Sequence, residues 1–171
     1  MVRTASATVS AVALAVDPAG TFLYLSDMGG NKVRRIAFDT TIVFTVAGTG
    51  DYGYTGDLSL STAAAFRDPR RAAFDAGGNL FVADSGNGRI RRIDAKTRVV
   101  TTVAGGGWGQ DGGPAVGAAI DFPTDLGFDA AGNLYVAETY GNRIRRIDAK
   151  TGTIRVVAGG GFLLLFDVLR S

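Results

Sequence analysis

The chain contains no cysteine and no histidine. Without Cys there is no disulfide framework, no thiol nucleophile and no reading of the redox compartment. Without His there is no Ser-His-Asp or Cys-His nucleophile system and no His-ligated zinc. Proline is scarce, at 4 residues in 171, and tryptophan occurs once. An excess of one charge is also missing: 18 basic and 16 acidic residues leave a net +2. The pI of about 9.1 reflects that small imbalance rather than a cationic surface, which argues against nucleic acid or an anionic membrane as a dedicated partner. No apolar run approaches the roughly 20 residues of a membrane span, and FLLLF at 162–166 is far too short. The opening MVRTASATVSAVALAV imitates a secretory leader, but Val12–Asp17 falls in register with a strand that recurs later, so it is read as strand. Secretion and cytoplasmic residence both stay open.

Glycine is plentiful, with 25 residues spread along a chain that is 46% hydrophobic. Many glycines in an apolar chain predict many turns and many short strands. The nine letters RIRRIDAKT occur at 89–97 and again at 143–151, with a worn form, KVRRIAFDT, at 32–40. They sit inside three longer copies, at 15–48, 73–105 and 127–159. Asp75 and Asp129 are 54 residues apart, and Asp17 and Asp75 are 58 apart. Each copy reads as four strands. A segment ending in Asp is followed by an Asp-x-x-Gly turn and FLYLSD, NLFVAD or NLYVAE. A Gly/Asn turn then leads to KVRRI or RIRRI, and a last turn to a strand ending in VAG. No apolar run between breakers reaches helix length.

Four antiparallel strands repeated at this spacing predict propeller blades. The letters G-N-L-Y-V-A-[DE]-x-x-x-N-R-I-R-R-I, then VAG, then GDGGPA-like QDGGPA, resemble the NHL-repeat β-propeller family, in the long-repeat variety of bacterial NHL proteins and extracellular receptor propellers. The fold expected is all-β, a partial propeller of three four-stranded blades. It forms one domain over 1–171, with blades at about 9–48, 70–105 and 124–159, loops at 49–69 and 106–123, and an atypical apolar tail at 162–171. The resemblance implies six blades in a full ring, so three make half of one. Repeat arrays need covered ends, and two completions stay open: a homodimer closing a six-bladed ring, or a piece of a longer propeller. VRTASATVS at 2–10 offers a further strand for either.

The arginine phrase is read as architecture, because a unique reaction centre has no reason to appear three times. Each copy also sets an acid opposite a base across a tight turn, predicting ion pairs Asp27–Lys32, Asp84–Arg89 and Glu138–Arg143. The remaining arginines are expected to lay their stems over the next blade with the charge at its edge.

Ligand contacts are expected on the face that carries the second-to-third-strand turns and the two long loops. Tyr52, Tyr54, Trp108 and Tyr140 offer aromatic surface, and Asp51, Asp57 and Asp111 offer polar specificity. Asp111 to Pro114 suit the start of a helical turn. Aspartates among glycines can hold Ca²⁺, but no DxDxDG-like spacing supports it. The reading is a non-catalytic scaffold that binds a protein or glycan ligand, without a cofactor or metal. Its first alternative is a propeller hydrolase or lactonase with a channel Ca²⁺ held by Glu, Asn and Asp, as the resemblance implies. Against it, the first-strand positions Val16, Phe74 and Phe128 are apolar. The second alternative is RNA binding on a basic face, which some NHL domains perform. His-bound-zinc lyase activity, also known among related propellers, has no ligands here.

Overall fold

The computed structural model describes residues 9–39 and 42–160. The expectations placed on residues 2–8 and on the tail 162–171 lie outside them. Three sheets follow one another along the chain. The first holds β1 (Ala11–Val16), β2 (Phe22–Asp27), β3 (Lys32–Ala37) and β4 (Val43–Ala47) in that order. The second holds β5 (Pro69–Phe74), β6 (Leu80–Asp84), β7 (Arg89–Ile93), β8 (Val100–Gly109) and β9 (Val116–Ala118). The third holds β10 (Pro123–Phe128), β11 (Leu134–Glu138), β12 (Arg143–Ile147) and β13 (Ile154–Gly159). Every pairing is antiparallel except β8 with β9, which is parallel.

The fifth strand of the second sheet was not expected. β8 runs on to Gly109, and Gly105 and Gly109 pair with Val116 and Ala118. The glycines permit this, since a Cβ at Gly107 would overlap the Gly117 carbonyl. The helical start expected at Asp111–Pro114 is replaced by a turn over 111–113, closed by the Gly113 N–H on the Gln110 carbonyl at 3.3 Å, and a bridge at Pro114. Pro114 bridges to Thr153, and the Ala115 N–H donates to the Gly152 carbonyl at 2.8 Å. Backbone groups that a helix would have paired internally are paired to the third sheet instead. In the first long loop the Ala-rich stretch does make one 3₁₀ turn, Ser61–Ala63.

The sheets stack face to face, and the middle one is covered on both sides. This follows from strand alternation. In β6, Leu80 and Val82 point into a cluster with Tyr24, Val33, Ala47 and Phe66 from the first sheet and loop, whereas Phe81 and Ala83 meet Leu126, Val136 and Ile147 from the third. All five residues of β6 are buried. Edge-to-face ring pairs join Tyr24 to Phe74 and Phe81 to Phe128, each at 4.9 Å between centroids, one pair per joint. The outer faces are bare: Val12, Leu14 and Val16 of β1 and Ile144 and Val157 of the third sheet are exposed.

Other repeated letters explain themselves as joinery. Asp75 accepts from the backbone and side chain of Asn79, and the Asn79 carbonyl oxygen accepts from the Ala95 N–H at 3.0 Å. Asp129, Asn133 and Ala149 repeat the arrangement. The glycine closing each VAG, Gly48, Gly105 or Gly159, has φ of +99, +89 or +74°. A side chain there would overlap the carbonyl of Asn31, Gly88 or Asn142 in the preceding turn.

Candidate functional site

The turns after β2, β6 and β11 lie against the two long loops: the Asn31 side chain meets the Gly50 carbonyl, the Asn87 side chain donates to the Gly53 carbonyl, and the Thr139 N–H donates to the Phe122 carbonyl. The chemistry there starts at the third letter of each arginine phrase. Arg91 is fully buried, 0% exposed. Its Nε donates to Asp57 Oδ1 at 3.0 Å, its Nη2 to the Thr55 carbonyl at 3.0 Å, and its Nη1 to the Ala65 carbonyl at 3.3 Å and Asp84 Oδ2 at 3.4 Å. One guanidinium thus ties the first long loop, at three points, to the end of β6. Burying such a charge is tolerable only with this degree of pairing.

Arg145 makes a sparser version with the second loop, bonding through Nη1 while Nε and Nη2 lack a hydrogen-bond partner among the described residues. Its Nη1 donates to the Ala119 carbonyl at 2.7 Å and to Glu138 Oε1 at 3.4 Å, and Asp111 Oδ1 lies 3.4 Å from Nε. Arg34, the first-sheet counterpart, donates to Asp27 at 2.6 Å. The fourth letter is used locally, Arg92 on Asp94 and Arg146 on Asp148.

The ion pairs expected across the turns are therefore corrected. Glu138 does hold Arg143, at 2.9 Å. Among the described residues, however, no ion pair joins Asp27 to Lys32 or Asp84 to Arg89. The acid turns instead to the arginine two residues further along the same strand face, which lies deeper. There a charge-assisted bond meets less competition from water. The guanidiniums of Arg91 and Arg145 are buried rather than placed at the blade edge.

Burial dominates Asp84 and pushes its carboxyl up to about 6. Hydrogen bonds from Asn87, the Arg67 N–H and Arg91, with the Arg91 charge, only partly offset it. At Asp57, burial also acts upward. Hydrogen bonding with Thr102 and Tyr54 and the Arg91 charge outweigh it and hold the group below the usual range.

The seven residues expected to meet a ligand divide. Asp57 and Asp111 serve the buried arginines, and Asp111 also accepts the Val156 N–H at 2.8 Å. The Tyr54 hydroxyl donates to Asp57 at 2.8 Å, and its ring lies 3.7 Å beneath the Arg89 guanidinium. Tyr52 is exposed under Arg67, at 4.4 Å. Tyr140 is exposed and stacks on Phe122 at 4.5 Å, with Arg70 over the other ring partner at 4.9 Å. Asp51 is exposed beside Tyr52.

Trp108 stands apart from these. Tyr54 and Trp108 each precede their loop aspartate by three residues, yet Tyr54 folds down onto its blade while Trp108 is 90% exposed. It borders a cleft of about 540 Å³ between the second and third blades, lined also by Asn87, Arg89, Gly106, Asp121 and Arg143. Arg89, Asn87 and Asp121 were not foreseen as ligand contacts. No sequence signal marks them: Arg89 becomes available because Asp84 is engaged by Arg91, which only the packing of the blades reveals.

Nearer the inner strands, Arg71 faces Asp125 at 3.1 Å. Phe74 and Phe128 pack into the joints between blades rather than into open space. Among the described residues no group of three or more Asp or Glu side chains is placed to hold a metal ion. No helix there is long and apolar enough to cross a membrane.

The family description NHL repeat matches residues 66–93, which run from the end of the first loop through β7. The chain carries an NHL repeat. The NHL letters recur in the flanking blades, at 15–48 and 127–159. Among known proteins, the chain is 28% identical over 158 residues to NHL repeat-containing protein 2 of Bos taurus, covering 86% of this chain and 22% of that one. It is 29% identical over 166 residues to teneurin-1 of Mus musculus, covering 85% and 6%. The chain thus spans less than a quarter of the length of these relatives. A solved Bacteroides thetaiotaomicron protein of unknown function shares 26% identity and a TM-score of 0.70, over 78% of this chain and 34% of that one. An auxiliary nutrient binding protein from Bacteroides ovatus (19% identity, TM-score 0.65, 85% and 37% covered) and virginiamycin B lyase from Staphylococcus aureus (16%, 0.59, 91% and 44%) share the fold alone.

Proposed function

We propose that this NHL array is a non-catalytic binding scaffold whose ligand sits in the cleft beside Trp108. The observation that carries this reading is the division of labour around these loops. Arg91 and Arg145, with the loop aspartates Asp57 and Asp111, are engaged in holding loops to blades, whereas the chain's one tryptophan is left 90% exposed at a cleft between two blades. An exposed tryptophan on a rigid sheet scaffold is an anchor for a ligand, because it supplies large area at little conformational cost. A fold shared with both a nutrient-binding protein and a lyase supports either kind of function. The inner strands favour binding, since their polar contact is an Arg71–Asp125 pair rather than a convergent set of acids.

The bare faces of the first and third blades belong to the same reading, as joints to further blades from a second copy or a longer chain. No cofactor or metal enters it.

The test is retention of oligosaccharides on a mixed neutral and acidic array by the wild-type protein and by Trp108→Ala, with recovery of the retained sugar. Retention lost in Trp108→Ala, with the sugar recovered intact, is expected. Equal retention by both proteins, or Ca²⁺-dependent opening of a simple lactone such as dihydrocoumarin, overturns the reading.

A further inference from the structure

We infer that the ligand of the Trp108 cleft is an acidic sugar, its carboxylate held by Arg89, its ring on Trp108 and its hydroxyls on Asp121. This rests on the binding reading above and names the ligand class for the same cleft.

One arginine of the cleft is left without an acid. Arg89 lies directly opposite Asp84 in the strand pairing. Asp84 spends its oxygens on the Arg67 N–H at 2.7 Å, Asn87 at 2.9 Å and Arg91 at 3.4 Å. Among the described residues, Arg89 therefore forms no ion pair. Its planar head is nonetheless fixed. The Tyr54 ring lies 3.7 Å from it, and Gly106 abuts it so closely that a side chain there would overlap Nη1. Gly106 has φ of +86°, so the chain turns there in a conformation suited to glycine. A guanidinium held in one plane with unspent donors is prepared for a carboxylate, which it can meet with two parallel hydrogen bonds.

The rest of the cleft decides what carries that carboxylate. Arg143, the other cation of the lining, is engaged by Glu138 through both Nε and Nη2, at 3.1 and 2.9 Å. One unspent positive charge suits one negative charge per ligand unit. Asp121 is exposed in the same lining and makes no ion pair among the described residues. A carboxylate accepts hydrogen bonds from hydroxyls and repels other anions, so the ligand's carboxylate belongs at Arg89 and its hydroxyls at Asp121. A cation, a hydroxyl acceptor and an exposed indole in one cleft of about 540 Å³ match a uronic-acid ring, and the size lies within the usual range of about 300–1,000 Å³. A nucleic-acid strand would bring repeated phosphates against Asp121 with a single free guanidinium to receive them.

The chain's single tryptophan makes the test direct, because its fluorescence reports this cleft alone. The probes are trigalacturonate, a hyaluronan oligosaccharide carrying glucuronate, maltotriose as the neutral sugar, and an oligouridylate. At least one uronide is expected to shift the emission saturably and to bind about tenfold or more tighter than maltotriose, the factor expected of one charge-assisted bond. Arg89→Gln is expected to remove that preference. On the wild-type protein alone, added salt is expected to weaken uronide binding and leave maltotriose unchanged. Equal binding of uronides and maltotriose, or an unaltered preference in Arg89→Gln, overturns the acidic ligand and leaves the binding reading standing. Tighter binding of oligouridylate than of either uronide overturns it too. Silence toward both uronides also overturns it, and the array with Trp108→Ala then decides the broader reading separately.

Discussion

Arg91 and Asp57 meet at 3.0 Å although 34 residues separate them, and their contact fastens the first long loop to the second blade. Arg145 and Asp111 form a looser counterpart for the second loop and the third blade, an ion pair at 3.4 Å without a hydrogen bond. The arginine phrase therefore repeats because each blade must hold the loop that leads into it.

The latch at the third blade is open to direct measurement. Asp111 is half-exposed, so its contact with Arg145 is screened. Its hydrogen bond from the Val156 N–H is the larger part of its role. Asp111→Ala is expected to cost about 0.5–1.5 kcal/mol in urea unfolding. It should also speed amide exchange at Val156 well before global unfolding. Unchanged exchange at Val156 would remove the latch from the account.

Two glycines with the same backbone hand separate conformation from crowding. Gly112 has φ of +84° with nothing near its missing side chain, whereas Gly105, at +89°, lies against the Gly88 carbonyl. Gly112→Ala is expected to cost about 1–2 kcal/mol, the penalty of the left-handed region alone. Gly105→Ala should cost well beyond that. Thermal melts of the two variants check the order.

The buried carboxyl of Asp84 predicts an unusual pH response. Its folded value is about 6 against an ordinary 3.8, so between those limits the folded chain binds a proton that the unfolded chain does not. Stability should therefore rise as pH falls from about 6 toward 4, and be lost again on raising the pH through the same window. Asp57 and Asp129, held below 3.8, lose their contributions only at lower pH. Asp84→Asn should abolish the rise between pH 6 and 4. A wild-type melting temperature that is flat or falling across that interval would contradict the assignment.

Trp108 should matter to binding and hardly at all to folding. Trp108→Ala is expected to change stability by less than about 0.5 kcal/mol, as for other surface positions. A loss of several kcal/mol would show the indole packed into the protein.

The fold was legible from the sequence because local signals agreed with one another. Asp-x-x-Gly turns, alternating apolar strands and three in-register copies all require the same sheets, and the all-sheet reading of LFVAD follows from its burial on both faces. The fifth strand was hidden, since GGGWG reads as loop until Gly117 is known to approach Gly107. The site was less legible. Directly opposed charges suggested Asp84–Arg89, but depth decided in favour of Arg91, and burial is a property of the stacked blades rather than of one strand. Tyr54 and Trp108 share a sequence position and differ in exposure, which only the packing of the two loops reveals.

The most direct test places one substitution at two arginines of a single strand. Arg91→Gln strips the cation from the fully buried Asp84 and the partly exposed Asp57, and is expected to cost about 3–5 kcal/mol in urea unfolding, most of it from Asp84. Arg89→Gln removes an arginine–tyrosine stack and is expected to cost about 1 kcal/mol or less. Equal losses at the two positions, or a larger loss at Arg89, would contradict the division between the arginine that holds the loop and the one left for a ligand.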